Sequence, residues 1–115
     1  GPTRAVGEIL THWIGRDGED AWLTGFENHG GYTTLGLSAS PLATVEIGVG
    51  NDGGGTEGAV NGLVIGTYPH GPVLARNPAL ADHILQLALG EGLAPLDRPE
   101  IDALRRERLA AVQRA

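Results

Sequence analysis

EGAVNGLVIGTYPHGPVLARNPALADHIL, residues 57 to 85, passes from an apolar run through a glycine- and proline-rich turn into a helical pattern. Leu63, Val64 and Ile65 stand uninterrupted between Gly62 and Gly66, which predicts a short strand buried on both faces. Such a strand holds its outgoing loop rigidly, and that loop carries His70 between Pro69 and Gly71. A loop histidine is ordinarily a solvated surface residue; the rigid mounting makes this one a candidate for chemistry. Further on, Asn77 is placed to cap free amides and Pro78 suits a first helical turn. Leu80, Ile84 and Leu87 then share a face, and Gly90 ends the helix.

Outward from this stretch, RPEIDALRRERLAAVQRA (98–115) predicts a terminal helix opening at Pro99. Ile101, Leu104, Leu109 and Val112 form its apolar stripe, with the arginines opposite. Toward the N-terminus, RAVGEILTHWI (4–14) and AWLTGFE (21–27) read as strands, and GRDGED between them as the turn of an antiparallel hairpin. LATVEIGVG (42–50) predicts a further strand, with Val45, Ile47 and Val49 on one face and Thr44 and Glu46 on the other. Strands fill the first two thirds and helices the last third, which on its own is the order of an α+β unit.

A chain of 115 residues with 41% hydrophobic content is one domain or part of one. Eight basic against fourteen acidic residues give a formal charge of −6, so the footprint for nucleic acid or an anionic membrane is missing. Every basic residue is arginine; without lysine, a Schiff base and a Walker-type phosphate loop are excluded within these residues. Without cysteine, so are disulfides, thiolate zinc sites and a thiol nucleophile. No apolar run has the length of a membrane span and no leader pattern is seen, so a cytoplasmic protein is expected. Gly1-Pro2, in a chain without methionine, resembles the scar of a trimmed tag, which leads us to expect residues missing upstream.

The other polar clusters carry weaker signals. Gly48, Gly50 and Gly53 spell G-x-G-x-x-G after a predicted strand, but more glycines and an acid follow where a dinucleotide site needs a helix. A mobile surface loop is expected there. His12, His29, His70 and His83 include no i, i+4 pair and no thiolate, so no metal site is expected. His83 and His12, the latter near Trp13, read as packing or surface residues. Ser38 and Ser40 lack the G-x-S-x-G elbow of a serine nucleophile. GFENHGG (25–31) is a second polar knot, with Glu27, Asn28 and His29 at the end of a strand.

GFENHGG followed by EGAVNGLVIGTYPHGPVLARNPALADHIL resembles the C-terminal half of the CobB/CobQ-like class I glutamine amidotransferases, from about Arg4 to about Leu89. Within that group the chain is most similar to the glutaminase subunit of lipid II isoglutaminyl synthase. The resemblance implies a flavodoxin-like α/β fold, of which this chain is the strand-rich C-terminal part followed by two helices. Residues 3–92 would complete the amidotransferase domain and 93–115 would form a helical extension. It implies His70 as catalytic base in a GTY-x-HGP motif, and Arg4, ahead of Gly7, Glu8 and Ile9, as the group that binds substrate glutamine. Glu27, Asn28 and His29 become site-loop candidates, with Glu27 the carboxylate that could orient His70. The family nucleophile is a cysteine on an upstream elbow, so this fragment should be inactive alone.

The partners implied are L-glutamine, the missing N-terminal half and a Mur ligase-like synthase subunit that amidates D-glutamate of the lipid II stem. ATP and magnesium belong to that ligase, and no cofactor is expected in this chain. Pro69 stands where the family usually has leucine, and it removes a backbone donor just before the histidine. Two other readings stay open: the amidotransferase portion of a cobyric acid synthase, and a non-catalytic binding or scaffolding module of the same fold.

Overall fold

A computed structural model describes residues 4–70, 72–90 and 99–114; the expected tag scar at residues 1–2 and most of the boundary near residue 93 lie outside these. The N-terminal hairpin forms as its turn predicts. β1 (Ala5–Trp13) and β2 (Trp22–His29) pair antiparallel from Ala5↔His29 to His12↔Trp22. Gly15 (φ 85°) and Gly18 (φ 82°) supply the left-handed backbone of the connection. β3 (Ala43–Ile47) pairs with the other side of β1 and β4 (Thr56–Glu57) adds outside it, giving the order β2-β1-β3-β4. Strands and helices combine into a mixed α/β fold in which each sheet pairing among the described residues is antiparallel.

In the loop after β3, expected to be mobile, a buried side chain ties the two ends together. Asn51 is buried, donating through Nδ2 to the Gly58 carbonyl (2.9 Å) and accepting the Gly58 amide on Oδ1 (3.0 Å). Its own backbone amide bonds the Thr56 carbonyl (2.9 Å) and its carbonyl accepts from Thr33 (2.8 Å). One side chain that satisfies both backbone groups of Gly58 closes the loop, which glycine content alone does not reveal.

The predicted strand at 63–66 is present as β6 (Val64–Gly66), paired with β5 (Ala59–Asn61) in a separate two-stranded ribbon. It is not buried on both faces. Leu63 and Val64 are 74% and 71% exposed, and Ile65 alone of the run packs against the core. An apolar run of three residues carries no information about which faces are covered; here the ribbon lies at the rim of the fold and buries one side.

The core is Trp13, Ala21, Leu23, Leu42, Ala43 and Leu80, with Val60, Ile65 and Val73 packed around it. α1 (Val73–Arg76) leads into α2 (Pro78–Leu89), which starts at its proline and ends at Gly90 (φ 73°), whose amide bonds the Gln86 carbonyl. Asn77 does not cap α2 with its side chain. Its amide instead accepts from the Thr24 N–H (2.8 Å) and donates to the carbonyls of Thr24 (2.7 Å) and Val73 (2.8 Å), standing in for a strand neighbour of β2. α3 (Pro99–Arg114) lies against β1 and β2. Its expected stripe is broken: Leu104 is about half exposed, whereas Arg105 is buried. The Arg105 guanidinium donates to the carbonyls of Glu19 and Trp22. These chain-turn acceptors need donors away from water, and a long guanidinium reaches both.

Candidate functional site

Pro69, His70 and Asn77 lie along the outer edge of β2. Asn77 occupies the outward backbone groups of Thr24, and two residues further along Phe26 exchanges both backbone bonds with His70 (3.0 and 2.9 Å). An antiparallel pair at His70 turns the preceding residue's nitrogen away from β2, so proline at 69 forfeits no bond to that strand. Proline at 69, where the resemblance led us to expect leucine, is therefore compatible with this placement. Pro69 is buried against Gly25. A Cβ on Gly25 would stand 2.4 Å from the Pro69 Cβ, so the missing side chain is what lets the histidine loop approach the strand.

Because His70 sits opposite Phe26, the two side chains project to the same side of the sheet. Phe26 and Asn28, two apart on β2, share that side. Arg4 joins them, donating from Nε to Asn28 Oδ1 at 2.6 Å. Arg4, Phe26, Asn28 and His70 are all exposed, and Val6, opposite Asn28 in β1, adds an apolar neighbour. The next pair inward on the same side, Glu8↔Phe26, ends the open area: Glu8 is held by Arg76 of α1 (2.7 Å) and Arg108 of α3 (3.2 Å). The side thus offers a cation, an amide, an imidazole and an apolar floor to anything docking on it.

Glu27 and His29 alternate with these residues and point to the other, buried side. The Glu27 carboxylate accepts from the amides of Val49 (2.7 Å) and Gly50 (3.0 Å) and pairs with His29 Nε2 (2.9 Å). Glu27 thus bonds the loop after β3 and His29 rather than His70. Gly48 (φ 120°) is needed for this approach, since a Cβ there would lie 2.7 Å from Glu27 Oε2. His29 Nδ1 lies 3.2 Å from the Gly31 carbonyl oxygen, so both ring nitrogens face acceptors. The Tyr68 ring stacks on His29 at 3.8 Å and 12°, and its hydroxyl shares a 2.6 Å bond with Thr33.

A second buried carboxylate belongs to this layer. Glu57, 1% exposed, accepts from the Thr67 hydroxyl on both oxygens (2.9 Å each) and from the Tyr68 amide (2.6 Å). Burial pushes its pKa up from the ordinary carboxylate value; the Tyr68 amide and then the Thr67 hydroxyl oppose that rise. Glu57 is not legible in the sequence, because a two-residue strand is too short for alternation to show which way it points. The juxtaposed Thr67 and Tyr68 were the available clue, as donors beside a known loop.

His83 packs edge-on to Trp13 (5.1 Å) and accepts on Nδ1 from Arg16 (3.1 Å). Burial and the Arg16 charge push its pKa below the ordinary histidine value. His12 packs edge-on to Trp22 (4.8 Å). Among the described residues no three His, Cys, Asp or Glu side chains group as metal ligands, and no helix is long and apolar enough to cross a membrane.

Comparison with known proteins places these elements in context. The profile of the CobB/CobQ-like glutamine amidotransferase domain matches residues 1–78. The chain is similar to a cobyric acid synthase of Limosilactobacillus reuteri, 42% identical over 77 residues that cover 64% of this chain and 15% of the relative. It is also similar to the lipid II isoglutaminyl synthase (glutamine-hydrolyzing) subunit GatD of Staphylococcus aureus, 38% identical over 81 residues, and to that of Streptococcus pneumoniae, 39% identical over 87 residues. Those matches cover 70% and 75% of this chain and 32% of each relative. The chain therefore spans between a seventh and a third of the length of these relatives.

Proposed function

The chain belongs to the CobB/CobQ-like glutamine amidotransferase family, and from that membership we propose that it is the base-carrying part of a glutaminase that releases ammonia from glutamine. The observation that carries this reading is the exposed His70, fixed by two backbone bonds to Phe26 on the same side of the sheet as Arg4. In this proposal a cysteine thiolate from outside these 115 residues attacks the side-chain amide carbon of glutamine. His70 stabilises that thiolate as imidazolium, then donates its proton to the departing nitrogen, so that ammonia leaves and a thioester remains. Water hydrolyses the thioester, with His70 taking the water's proton as glutamate is released. General acid–base transfer of this kind is worth about 10² to 10⁴ in rate. Arg4 pairs with the α-carboxylate of glutamine, for which its planar fork suits.

For the acceptor, we favour D-glutamate of the lipid II stem, activated with ATP and magnesium by a Mur ligase-like partner in the cytoplasm; this chain itself needs no cofactor. The similarity to GatD relatives over 70–75% of the chain supports this reading. A second reading, the amidotransferase portion of a cobyric acid synthase, is supported by relatives at comparable identity. The test is glutamine-driven amidation by the full-length protein with its partner. Conversion of lipid II supports the first reading, whereas glutamine hydrolysis without lipid II amidation points to the second acceptor. No hydrolysis at all sinks both in favour of a scaffolding module. Within an active enzyme, Arg4→Ala should raise KM for glutamine at least tenfold, about the 1.5–3 kcal/mol of a charge-assisted hydrogen bond; an unaltered KM removes Arg4 from the site.

A further inference from the structure

We propose that Glu57 is a positioning residue for the glutaminase reaction, setting His70 through the Thr67–Tyr68 segment. The inference rests on the reading of His70 as the base. Glu57 comes from β4, at the far edge of the sheet order from β2, yet its carboxylate bonds the two residues that lead into Pro69 and His70. Thr67 reaches both oxygens and the Tyr68 amide reaches one, so the carboxylate fixes a side chain and the backbone at once. Pro69 then carries that placement forward: its fixed φ removes one of the few torsions by which an error at Tyr68 could be absorbed before His70. On the other side, His70 is pinned to Phe26 by two backbone bonds. The histidine is therefore held from β2 ahead and from Glu57 behind.

The rest of the buried layer supports the same residue. Tyr68 is clamped between the Glu57 bond to its amide and the stack of its ring on His29, whose Nε2 is paired with Glu27. Two acids and a histidine thus converge beneath a loop whose exposed tip carries His70, and none of the three is exposed to a docking substrate. Burial raises the pKa of Glu57, so its charged form is disfavoured in the fold. A carboxylate retained there is expected to serve placement rather than cohesion.

The test compares Glu57→Ala, Glu57→Gln, Thr67→Val and His70→Ala in the full-length enzyme with its partner, measuring kcat and KM for ammonia release. Displacement of a base by about 1 Å costs on the order of 10²-fold. Glu57→Ala should accordingly lower kcat about 10- to 100-fold while KM for glutamine stays within about twofold. Glu57→Gln, which keeps an oxygen for the Tyr68 amide, should recover most of that loss, and Thr67→Val should fall between. If Glu57→Ala does not fold, Thr67→Val and Glu57→Gln decide: a lowered kcat at unchanged KM in Thr67→Val supports the proposal. Wild-type kcat in Glu57→Ala, or in Thr67→Val where Glu57→Ala does not fold, overturns it, as does a loss confined to KM. If His70→Ala itself keeps turnover, the failure lies in the reading of His70 and not in Glu57.

Discussion

The close approach of Pro69 to Gly25 gives a perturbation whose effect can be worked from the structure. Gly25 has no left-handed backbone to protect, so Gly25→Ala acts only through space. The added Cβ would lie 2.4 Å from the Pro69 Cβ, 3.2 Å from its Cα and 3.3 Å from the His70 carbonyl oxygen. The first two atoms belong to a rigid ring and its backbone, so relief requires the loop to retreat by about 1 Å toward ordinary contact. Retreat strains the two bonds between Phe26 and His70, worth about 0.5–1.5 kcal/mol each. Staying put costs about 1–3 kcal/mol in overpacking. Either route destabilises the fold by about 1–3 kcal/mol, and the displaced histidine lowers kcat by about 10²-fold. Urea unfolding and ammonia release by the full-length enzyme measure the two effects. Gly31→Ala is the control, because nothing lies within 4 Å of a Cβ there. Equal stability and turnover in the two variants would refute the spatial argument.

Two further outcomes follow from the buried layer. Asn77→Ala strands the amide and carbonyl of Thr24 and the carbonyl of Val73, and should cost about 2–4 kcal/mol in a denaturant titration, since each buried group left unpaired costs about 1–3; a loss under about 1 kcal/mol contradicts the strand-mimic role. Glu57 has its folded pKa raised above its unfolded value, so the native state holds the proton more tightly. Its stabilising contribution is complete below the unfolded value of 4.5 and is lost as pH rises through the folded value. The stability of wild type relative to Glu57→Gln should therefore fall from acid toward neutral pH, and a difference that grows with pH contradicts the desolvation account.

The elements that declared themselves in the sequence did so through local chemistry. GRDGED with its two glycines set the hairpin, and Asn77-Pro78 with Gly90 bracketed α2 within a residue of its ends. What stayed hidden depends on partners distant along the chain. Asn77 serves β2 rather than its own helix, and Arg105 turns inward to carbonyls about eighty residues earlier, where a helical wheel puts it with the solvent-facing arginines. Leu63–Ile65 is apolar enough for a buried strand, but which faces are covered is decided by the neighbours of the ribbon. The GFENHGG knot held more information than its composition suggested. Once 22–29 is a strand, Glu27 and His29 must face away from Asn28, so the pleat alone separates the buried pair from the side that carries Arg4 and His70. The link from Glu57 to Tyr68 could not be read, because the strand that aims it has only two residues.

The central claim is that His70 moves the proton in glutamine hydrolysis, and His70→Ala in the full-length enzyme tests it most directly. His70 is exposed, so the variant should unfold within about 0.5 kcal/mol of wild type while ammonia release falls by about 10²- to 10⁴-fold. A folded His70→Ala enzyme that releases ammonia at the wild-type rate would contradict the account.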